Sequence, residues 1–227
     1  MEDSIENYLE KKKEDSVIDI FRKRVEKIAR RKGREVLTSP LNSLDRELGA
    51  DFFISELTKF SIFEFKYQEG DIKSEKRKDL RGMLCEKLEL ESIRKNQHKE
   101  SHFIAWSTKE ENPNVELNIY CHEVCNKAVF HHLNISEDLP TKDSRQIDID
   151  FIEEFFNGNK GLKYKTFFSY INWLLEIAGV DSGRFELLFE HPSDDITHSV
   201  PIKSLGELRK WLQNNPPAPT VTSKMSP

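Results

Sequence analysis

Two short runs of aromatic and β-branched residues, separated by only a few positions, constrain this chain more strongly than any other feature. Residues 49–54 and 61–68 are rich in strand-favouring residues, and their spacing predicts a β-hairpin. The second run alternates: one face carries Phe63, Phe65 and Tyr67, and the other carries Glu64, Lys66 and Gln68. The alternation predicts a half-buried strand. Because both arms of the hairpin contain apolar runs, we expect this strand to lie in the centre of a sheet.

The polar face of this strand predicts a metal site. Asp51 stands at the start of the first arm and Glu64 lies within the second, so the hairpin brings two carboxylates together. Two converging carboxylates repel each other unless a cation lies between them, and oxygen ligands suit a hard cation such as Mg²⁺. Lys66 could hold an anionic substrate beside them, as metal-assisted phosphodiester hydrolysis requires. The alternative is that Glu64 and Lys66 form the solvated face of an edge strand and that Asp51 caps a turn.

Asp51, followed after twelve residues by Glu64-Phe65-Lys66, resembles the bipartite D…(D/E)-x-K signature of the PD-(D/E)XK nuclease superfamily. The order of elements is also similar: an upstream helix, the hairpin, a long basic helix over residues 72–97, and a strand at residues 102–106. The resemblance covers roughly residues 15–125, and Ala50 replaces the proline that the family places before the aspartate. It implies an α/β protein with a restriction-endonuclease-like central mixed sheet flanked by helices.

The resemblance also implies roles for individual residues. Asp51 and Glu64 match the acids that bind Mg²⁺ or Mn²⁺, Lys66 matches the catalytic lysine, and Gln68 matches a polar residue that some members carry. Members of the superfamily often add a glutamate from the first helix to the metal site. We predict a helix over residues 3–32, and Glu14 is the candidate if that helix is unbroken near Asp15. Otherwise Glu14 is a solvated charge.

The net charge of −5 does not indicate a nucleic-acid-binding protein, but basic residues cluster locally. Five of them follow the hairpin: Lys73, Lys76, Arg77, Lys78 and Arg81. Because they lie beside the predicted metal site, we predict that Lys73, Lys76, Arg77 and Arg81 bind nucleic-acid phosphates. A second basic run, over residues 22–34, could serve the same purpose or form the solvated face of a helix.

The patterns predict four parts of the chain. Residues 1–133 form the nuclease-like core, 134–146 a linker or long loop, 147–214 a mainly helical α/β extension that serves as a cap, dimer or docking element, and 215–227 a disordered tail. No apolar stretch is long enough for a membrane span and no signal peptide is recognisable. Three cysteines are too few for a disulfide framework, so we expect a reducing, cytoplasmic setting. Cys121, Cys125 and His132 could bind zinc, although ordinary buried cysteines are the simpler interpretation.

These observations lead to two hypotheses about function. The first is a magnesium-dependent deoxyribonuclease that acts on DNA as a homo-oligomer or within a larger complex; the resemblance makes microbial antiviral defence a plausible setting. The second is a nuclease-like binding or assembly module that is silent without a partner protein. The sequence does not distinguish DNA from RNA, or endonuclease from exonuclease action.

Overall fold

The computed structural model describes residues 2–41, 45–56, 58–108, 114–180, 186–190 and 197–201. The helices are α1 Glu2–Lys32, α2 Asp45–Leu48, α3 Asp79–Leu90, α4 Ser92–Ser101, α5 Tyr120–Val124, α6 Asp148–Phe156 and α7 Tyr164–Ile177, with a 3₁₀ segment at Glu69–Arg77. The strands are β1 Leu37–Pro40, β2 Phe52–Ser55, β3 Phe60–Lys66, β4 His102–Ser107, β5 Val115–Ile119, β6 Gln146–Ile147, β7 Glu186–Glu190 and β8 Thr197–Pro201.

Six strands form one mixed sheet in the order β1-β2-β3-β4-β5-β6. The pair β3–β4 is parallel, and the other neighbouring pairs are antiparallel. The predicted hairpin is therefore confirmed as β2–β3, and its second strand lies in the centre of the sheet as expected. Strands β7 and β8 form a separate antiparallel pair. The protein is an α/β structure with helices on both faces of a central mixed sheet.

Each face of the sheet has its own apolar core. Helices α1 and α6 cover one face, where Phe21 and Phe151 pack against Phe63. The other face is covered by α3, α4, α5 and α7, where Phe167 packs against Phe60. Helices α6 and α7 fall in the region predicted as an extension, yet they complete the two cores of the sheet. The predicted tail at residues 215–227 lies outside the described residues.

Strand β3 differs from its prediction in one respect that matters for the site. All seven of its residues are buried, so the strand is not half-buried. Phe63 and Phe65 face the core under α1, as the alternation predicts. The face with Glu64 and Lys66 is covered as well, and the charges on it are compensated by other buried charges.

The long basic helix predicted over residues 72–97 is three separate elements. The 3₁₀ segment ends where Lys78 adopts an extended conformation (φ −105°, ψ 103°), and α3 ends at Glu91 (φ −119°, ψ 84°) before α4 begins. Runs of 3₁₀ helix longer than three or four residues are uncommon. This 3₁₀ segment covers nine residues and carries the buried Glu75.

A disulfide joins Cys85 of α3 to Cys125, which follows α5. The expectation of ordinary buried cysteines is therefore wrong for Cys125, because the fold brings together two cysteines that are 40 positions apart in sequence. Cys121 is buried and is the one free cysteine. Within the described residues, no helix combines the length and apolar character needed to cross a membrane.

Candidate active site

The hairpin register places Asp51 beside Glu64. Phe52 pairs with Phe63, so Asp51, immediately before β2, lies at the end of the strand that carries Glu64. The backbone N–H of Asp51 donates to the carbonyl of Phe63 over 2.7 Å, and Oδ2 of Asp51 accepts from the backbone N–H of Phe65, also over 2.7 Å. These two bonds fix the carboxylate of Asp51 at the hairpin end, as the sequence predicts.

The Glu64 carboxylate is held on one oxygen only. Its side chain is 1% exposed, and Oε1 accepts from Nζ of Lys66 at 2.6 Å and from Nζ of Lys78 at 2.8 Å. The second oxygen, Oε2, is buried and has no hydrogen-bond partner among the described residues. A buried carboxylate oxygen without a partner is costly. Unlike Oε1, this oxygen is therefore not compensated by a hydrogen bond from the described residues.

Glu75 is the residue that the sequence prediction missed. Its side chain is fully buried, and Oε1 lies 3.1 Å from Nζ of Lys66 and 2.8 Å from Nζ of Lys78. On the other side, Oε2 accepts from the hydroxyl of Tyr120 at 2.7 Å and lies 3.3 Å from Nε of Arg81. We call Glu64, Lys66, Glu75, Lys78 and Arg81 the ionic cluster. Its two carboxylates and three cations compensate each other inside the protein.

Glu14 reaches the same place from the first helix. Helix α1 is continuous from Glu2 to Lys32, so the condition set on Glu14 is met. Oε1 of Glu14 lies 3.7 Å from Nζ of Lys66, and the Glu14 side chain is about one-third exposed. Burial raises the pKa of Glu14, although the neighbouring Lys66 opposes the shift. The structure thus brings Glu14, Asp51, Glu64 and Lys66 together at one end of β3.

The pKa values of the two predicted metal-binding acids are shifted in opposite directions. Burial and the charge of Glu64 raise the pKa of Asp51 well above its usual range. Burial alone would raise the pKa of Glu64 too, but Lys66 and Lys78 outweigh it and hold that pKa far below its usual range. For Lys66, burial opposes the charged form, but Glu64 and Glu75 raise its pKa well above normal. Glu64 is therefore ionised, Lys66 is protonated, and Asp51 is poised to gain from an added cation.

The remaining predicted residues lie at different depths. Lys73, Lys76 and Arg77 are exposed on the 3₁₀ segment whose inner side carries Glu75. Arg81, in contrast, is buried beside Glu75, which corrects its assignment as a surface contact for phosphate. Gln68 lies beyond the end of β3 and is half-buried, and its side-chain amide donates to Oδ1 of Asp71 at 3.2 Å. In this structure Gln68 caps the 3₁₀ segment.

A second buried network, made of hydrogen bonds, reaches the site through Gly49. Nε2 of His102 lies 2.8 Å from the carbonyl of Gly49, and Nδ1 of His102 lies 2.9 Å from the hydroxyl of Tyr170. That hydroxyl is 2.7 Å from Nδ1 of His98, whose Nε2 accepts from the backbone N–H of Cys121 at 3.0 Å. The bonds assign the tautomers: His102 donates from Nε2, Tyr170 donates to His102, and His98 donates from Nδ1. We call these five groups the neutral network.

Gly49 links the neutral network to Asp51. It has a positive φ of 71°, and a side-chain carbon at this position would lie 2.9 Å from the guanidinium of Arg81. Glycine is favoured here, because any side chain would be strained at this φ and would displace the Arg81 guanidinium. The carbonyl of Gly49 therefore accepts a hydrogen bond from His102, and the residue packs against Arg81 of the ionic cluster. Asp51 follows two positions later in the chain.

The cysteine and histidine cluster proposed for zinc is not assembled. Cys125 is engaged in the disulfide with Cys85, and His132 is exposed. In the part of the chain that the structure describes, no group of three or more His, Cys, Asp or Glu side chains is arranged to hold a metal ion. A cation at Asp51 and Glu64 would thus have few protein ligands, and Mg²⁺ is commonly bound through one or two carboxylates with the remaining positions filled by water and phosphate.

We find no match to this chain among protein-family models, curated proteins or solved structures. The geometry of the site and the physical chemistry of its residues therefore carry the functional argument.

Proposed function

We propose that this protein is a metal-dependent nuclease that hydrolyses phosphodiester bonds of DNA, with a restriction-endonuclease-like arrangement of its sheet. The observation that carries the proposal is the convergence of Asp51, Glu64 and Lys66 at one end of the β2–β3 hairpin, where the buried Oε2 atom of Glu64 has no hydrogen-bond partner among the described residues. An isolated structural ion pair does not require an aspartate of raised pKa and an unpartnered carboxylate oxygen at the same point.

The donor set fits a hard divalent cation. Asp51 and Glu64 supply carboxylate oxygens, and Glu14 lies close enough to Lys66 to join them on a small movement of its side chain. A bound Mg²⁺ or Mn²⁺ supplies Lewis-acid stabilisation of the negative charge that develops on the phosphate. The raised pKa of Asp51 supports the fit, because an added cation relieves its repulsion with Glu64.

Lys66 and Lys78 have different roles in this proposal because they differ in exposure. Lys66 is 4% exposed and stays protonated, so it acts as a fixed donor toward the reacting phosphate and not as a base. Lys78 is 41% exposed and lies on the same oxygen of Glu64, so an incoming phosphate meets Lys78 first. The exposed Lys73, Lys76 and Arg77 flank this position and extend the positive surface along the 3₁₀ segment.

The silent binding or assembly module remains the second candidate, and one observation favours it. Lys66 and Lys78 both occupy Oε1 of Glu64 and are shared with Glu75, so much of the charge at the site is already compensated. A site whose charges are already compensated suits a protein that becomes active only when a partner binds. In this case the protein binds nucleic acid or a partner protein without cleaving DNA by itself.

The decisive experiment is cleavage of supercoiled plasmid, linear duplex, single-stranded DNA and RNA with Mg²⁺, Mn²⁺ or EDTA. The full chain is compared with Glu64→Gln and Lys66→Met, and Glu86→Gln and Lys165→Ala serve as matched exposed controls. We expect metal-dependent cleavage that falls by about 100-fold or more in both site variants and is unchanged in the controls. Each variant is first checked by circular dichroism.

Two results would contradict the nuclease. Equal cleavage by the wild type and Glu64→Gln would identify a contaminant. No cleavage of any substrate, together with nucleic-acid binding that persists in EDTA, would favour the binding module.

A further inference from the structure

A cavity beside the Cys85–Cys125 disulfide includes no residue of the ionic cluster in its described lining, and it has no role in the proposed nuclease. Its volume is about 270 Å³, and its lining includes all three cysteines: Cys85, Cys121 and Cys125. Both half-cystines therefore border a space that can admit part of a small molecule. Of the two residues joined by the disulfide, Cys125 is the more exposed, at 6% against 1% for Cys85.

The charges around the cavity are mixed. Lys95 and Lys99 line it together with Glu89 and Glu137, and Nζ of Lys95 lies 3.8 Å from Oε2 of Glu89. His122 also lines the cavity, and burial lowers its pKa, so that it is neutral at pH 7. A lining with two positive and two negative side chains complements a small molecule that carries both ammonium and carboxylate groups.

We propose that this cavity is a thiol–disulfide exchange site, in which a small amino-acid or peptide thiol of the glutathione type attacks Sγ of Cys125. The incoming thiolate forms a bond to Sγ of Cys125, the Cys85–Cys125 bond breaks, and Sγ of Cys85 leaves as a thiolate that takes up a proton. A second molecule of the same thiol attacks the mixed disulfide, releases the oxidised small-molecule disulfide and leaves Cys125 reduced. Atoms and electrons balance with the thiol as the reductant.

Cys121 is a bystander in this chemistry. It is buried in the same cavity, and burial raises the pKa of its thiol to about 12. It is therefore protonated at neutral pH and a poor nucleophile, because thiol–disulfide exchange requires the thiolate. The attacking thiolate must come from outside the protein.

Opening the disulfide affects the two helices that hold Glu75. Cys85 lies one helical turn after Arg81 on α3, and Cys125 directly follows α5, which begins with Tyr120. Arg81 and Tyr120 both contact Glu75. Reduction removes the covalent link between these helices, so we expect the backbone N–H groups of residues 120–125 to exchange faster with solvent.

The test uses the full oxidised chain and does not depend on nuclease activity. The protein is incubated with glutathione under native conditions, the reaction is quenched with acid, and peptides are mapped by mass spectrometry. We expect glutathione on Cys125, a free thiol at Cys85, and unchanged modification in a Cys121→Ala variant. Hydrogen exchange of residues 120–125 is measured before and after reduction, and we expect faster exchange after it.

The rates of thiol–disulfide exchange test whether the cavity distinguishes a charged thiol from an uncharged one. We expect Lys99→Ala to slow the reaction with glutathione on the order of threefold, but not the reaction with uncharged 2-mercaptoethanol. Lys127→Ala, an exposed lysine outside the cavity lining, is the matched control and should leave both rates unchanged.

Any of three outcomes would overturn the proposal. These are three titratable thiols in the native protein prepared without reductant, glutathione modification only in denaturant, or glutathione found on Cys121. Equal slowing of both thiols by Lys99→Ala would overturn it as well, since the cavity would then not recognise the charged thiol.

Discussion

The ionic cluster around Glu64 and the neutral network around Tyr170 are both buried and both reach the turn at residues 49–51, yet they are satisfied to different degrees. In the neutral network, each imidazole nitrogen and the Tyr170 hydroxyl has a partner between 2.7 and 3.0 Å away. In the ionic cluster, Oε2 of Glu64 has none among the described residues. The neutral network therefore has all its hydrogen bonds, whereas the ionic cluster keeps a buried carboxylate oxygen that lacks one among the described residues.

The two networks also differ in how charge is distributed. Burial lowers the pKa of His102 to about 3 and that of His98 well below normal, so both imidazoles are neutral. The ionic cluster keeps its groups charged by pairing them, and its most exposed member, Lys78, opens toward solvent. A buried neutral network needs no counter-charge, whereas a buried ionic cluster responds to each charge that is added or removed.

The largest expected effect of a single substitution is on Glu75. Glu75→Ala leaves Lys66 and Arg81 buried without their shared anion, so we expect a loss of about 3–5 kcal/mol in the free energy of unfolding. Lys78→Ala should cost less than Glu75→Ala, because Lys78 is 41% exposed and Lys66 still contacts both Glu64 and Glu75. Urea denaturation monitored by circular dichroism measures both values, with exposed Glu86→Ala as the control. A Glu75→Ala loss no greater than that of Glu86→Ala would show that the ionic cluster is not held by Glu75.

A smaller effect is expected from the neutral network and appears as pH dependence. The unfolded chain protonates His102 below about pH 6.5, whereas the folded state resists protonation until about pH 3. The unfolded state therefore binds more protons in this window, and stability falls as the pH decreases. His102 contributes up to about 1.4 kcal/mol per pH unit.

Denaturation midpoints between pH 6.5 and 5 test this, because the carboxylates remain ionised there in the unfolded chain. We expect His102→Gln to reduce the slope of stability against pH, with His98 contributing to the slope that remains, while exposed His131→Gln leaves the slope unchanged. An unaltered slope in His102→Gln would mean that His102 is protonated in the folded protein, and the neutral network would lose its defining property.

The smallest effect, and the only stabilising one, is expected at Asp51. Its folded-state pKa is raised, so the stability it contributes is greatest below the unfolded pKa and is lost as the pH rises through the folded pKa. Asp51→Asn should therefore be more stable than the wild type at pH 7, and the difference should vanish near pH 3.5. Thermal denaturation with and without Mg²⁺ adds a second measurement. Mg²⁺ should stabilise the wild type and not Asp51→Asn, and equal stabilisation of both would place the cation elsewhere.

Much of the site could be predicted from local sequence pattern. Alternation placed Glu64 and Lys66 on one face of a strand, and the twelve-residue interval to Asp51 matched the register of the hairpin. The resemblance to the nuclease superfamily implied a glutamate from the first helix, and helical spacing favoured Glu14, provided that α1 was continuous. These inferences succeed because period-two and helical periodicity depend on neighbouring residues only.

Glu75, Lys78 and Arg81 show where this reasoning fails. An acid within the basic run after the hairpin was a visible signal, but the run fitted a helix with a solvated basic face. The backbone at Lys78 is extended, and this break turns Glu75 and Arg81 inward. Local pattern does not report such a break, because its stabilisation comes from contacts with Lys66, Tyr120 and Gly49 far along the chain.

The sequence by itself determined the hairpin, the central position of β3, the first helix and the meeting of Asp51 with Glu64. Each follows from apolar periodicity and short spacing. Only the tertiary structure decided that β3 is buried on both faces, that Cys85 meets Cys125, and that α6 and α7 complete the two cores. These features depend on pairings between distant segments, whose energies come from burial and charge compensation that no local pattern encodes.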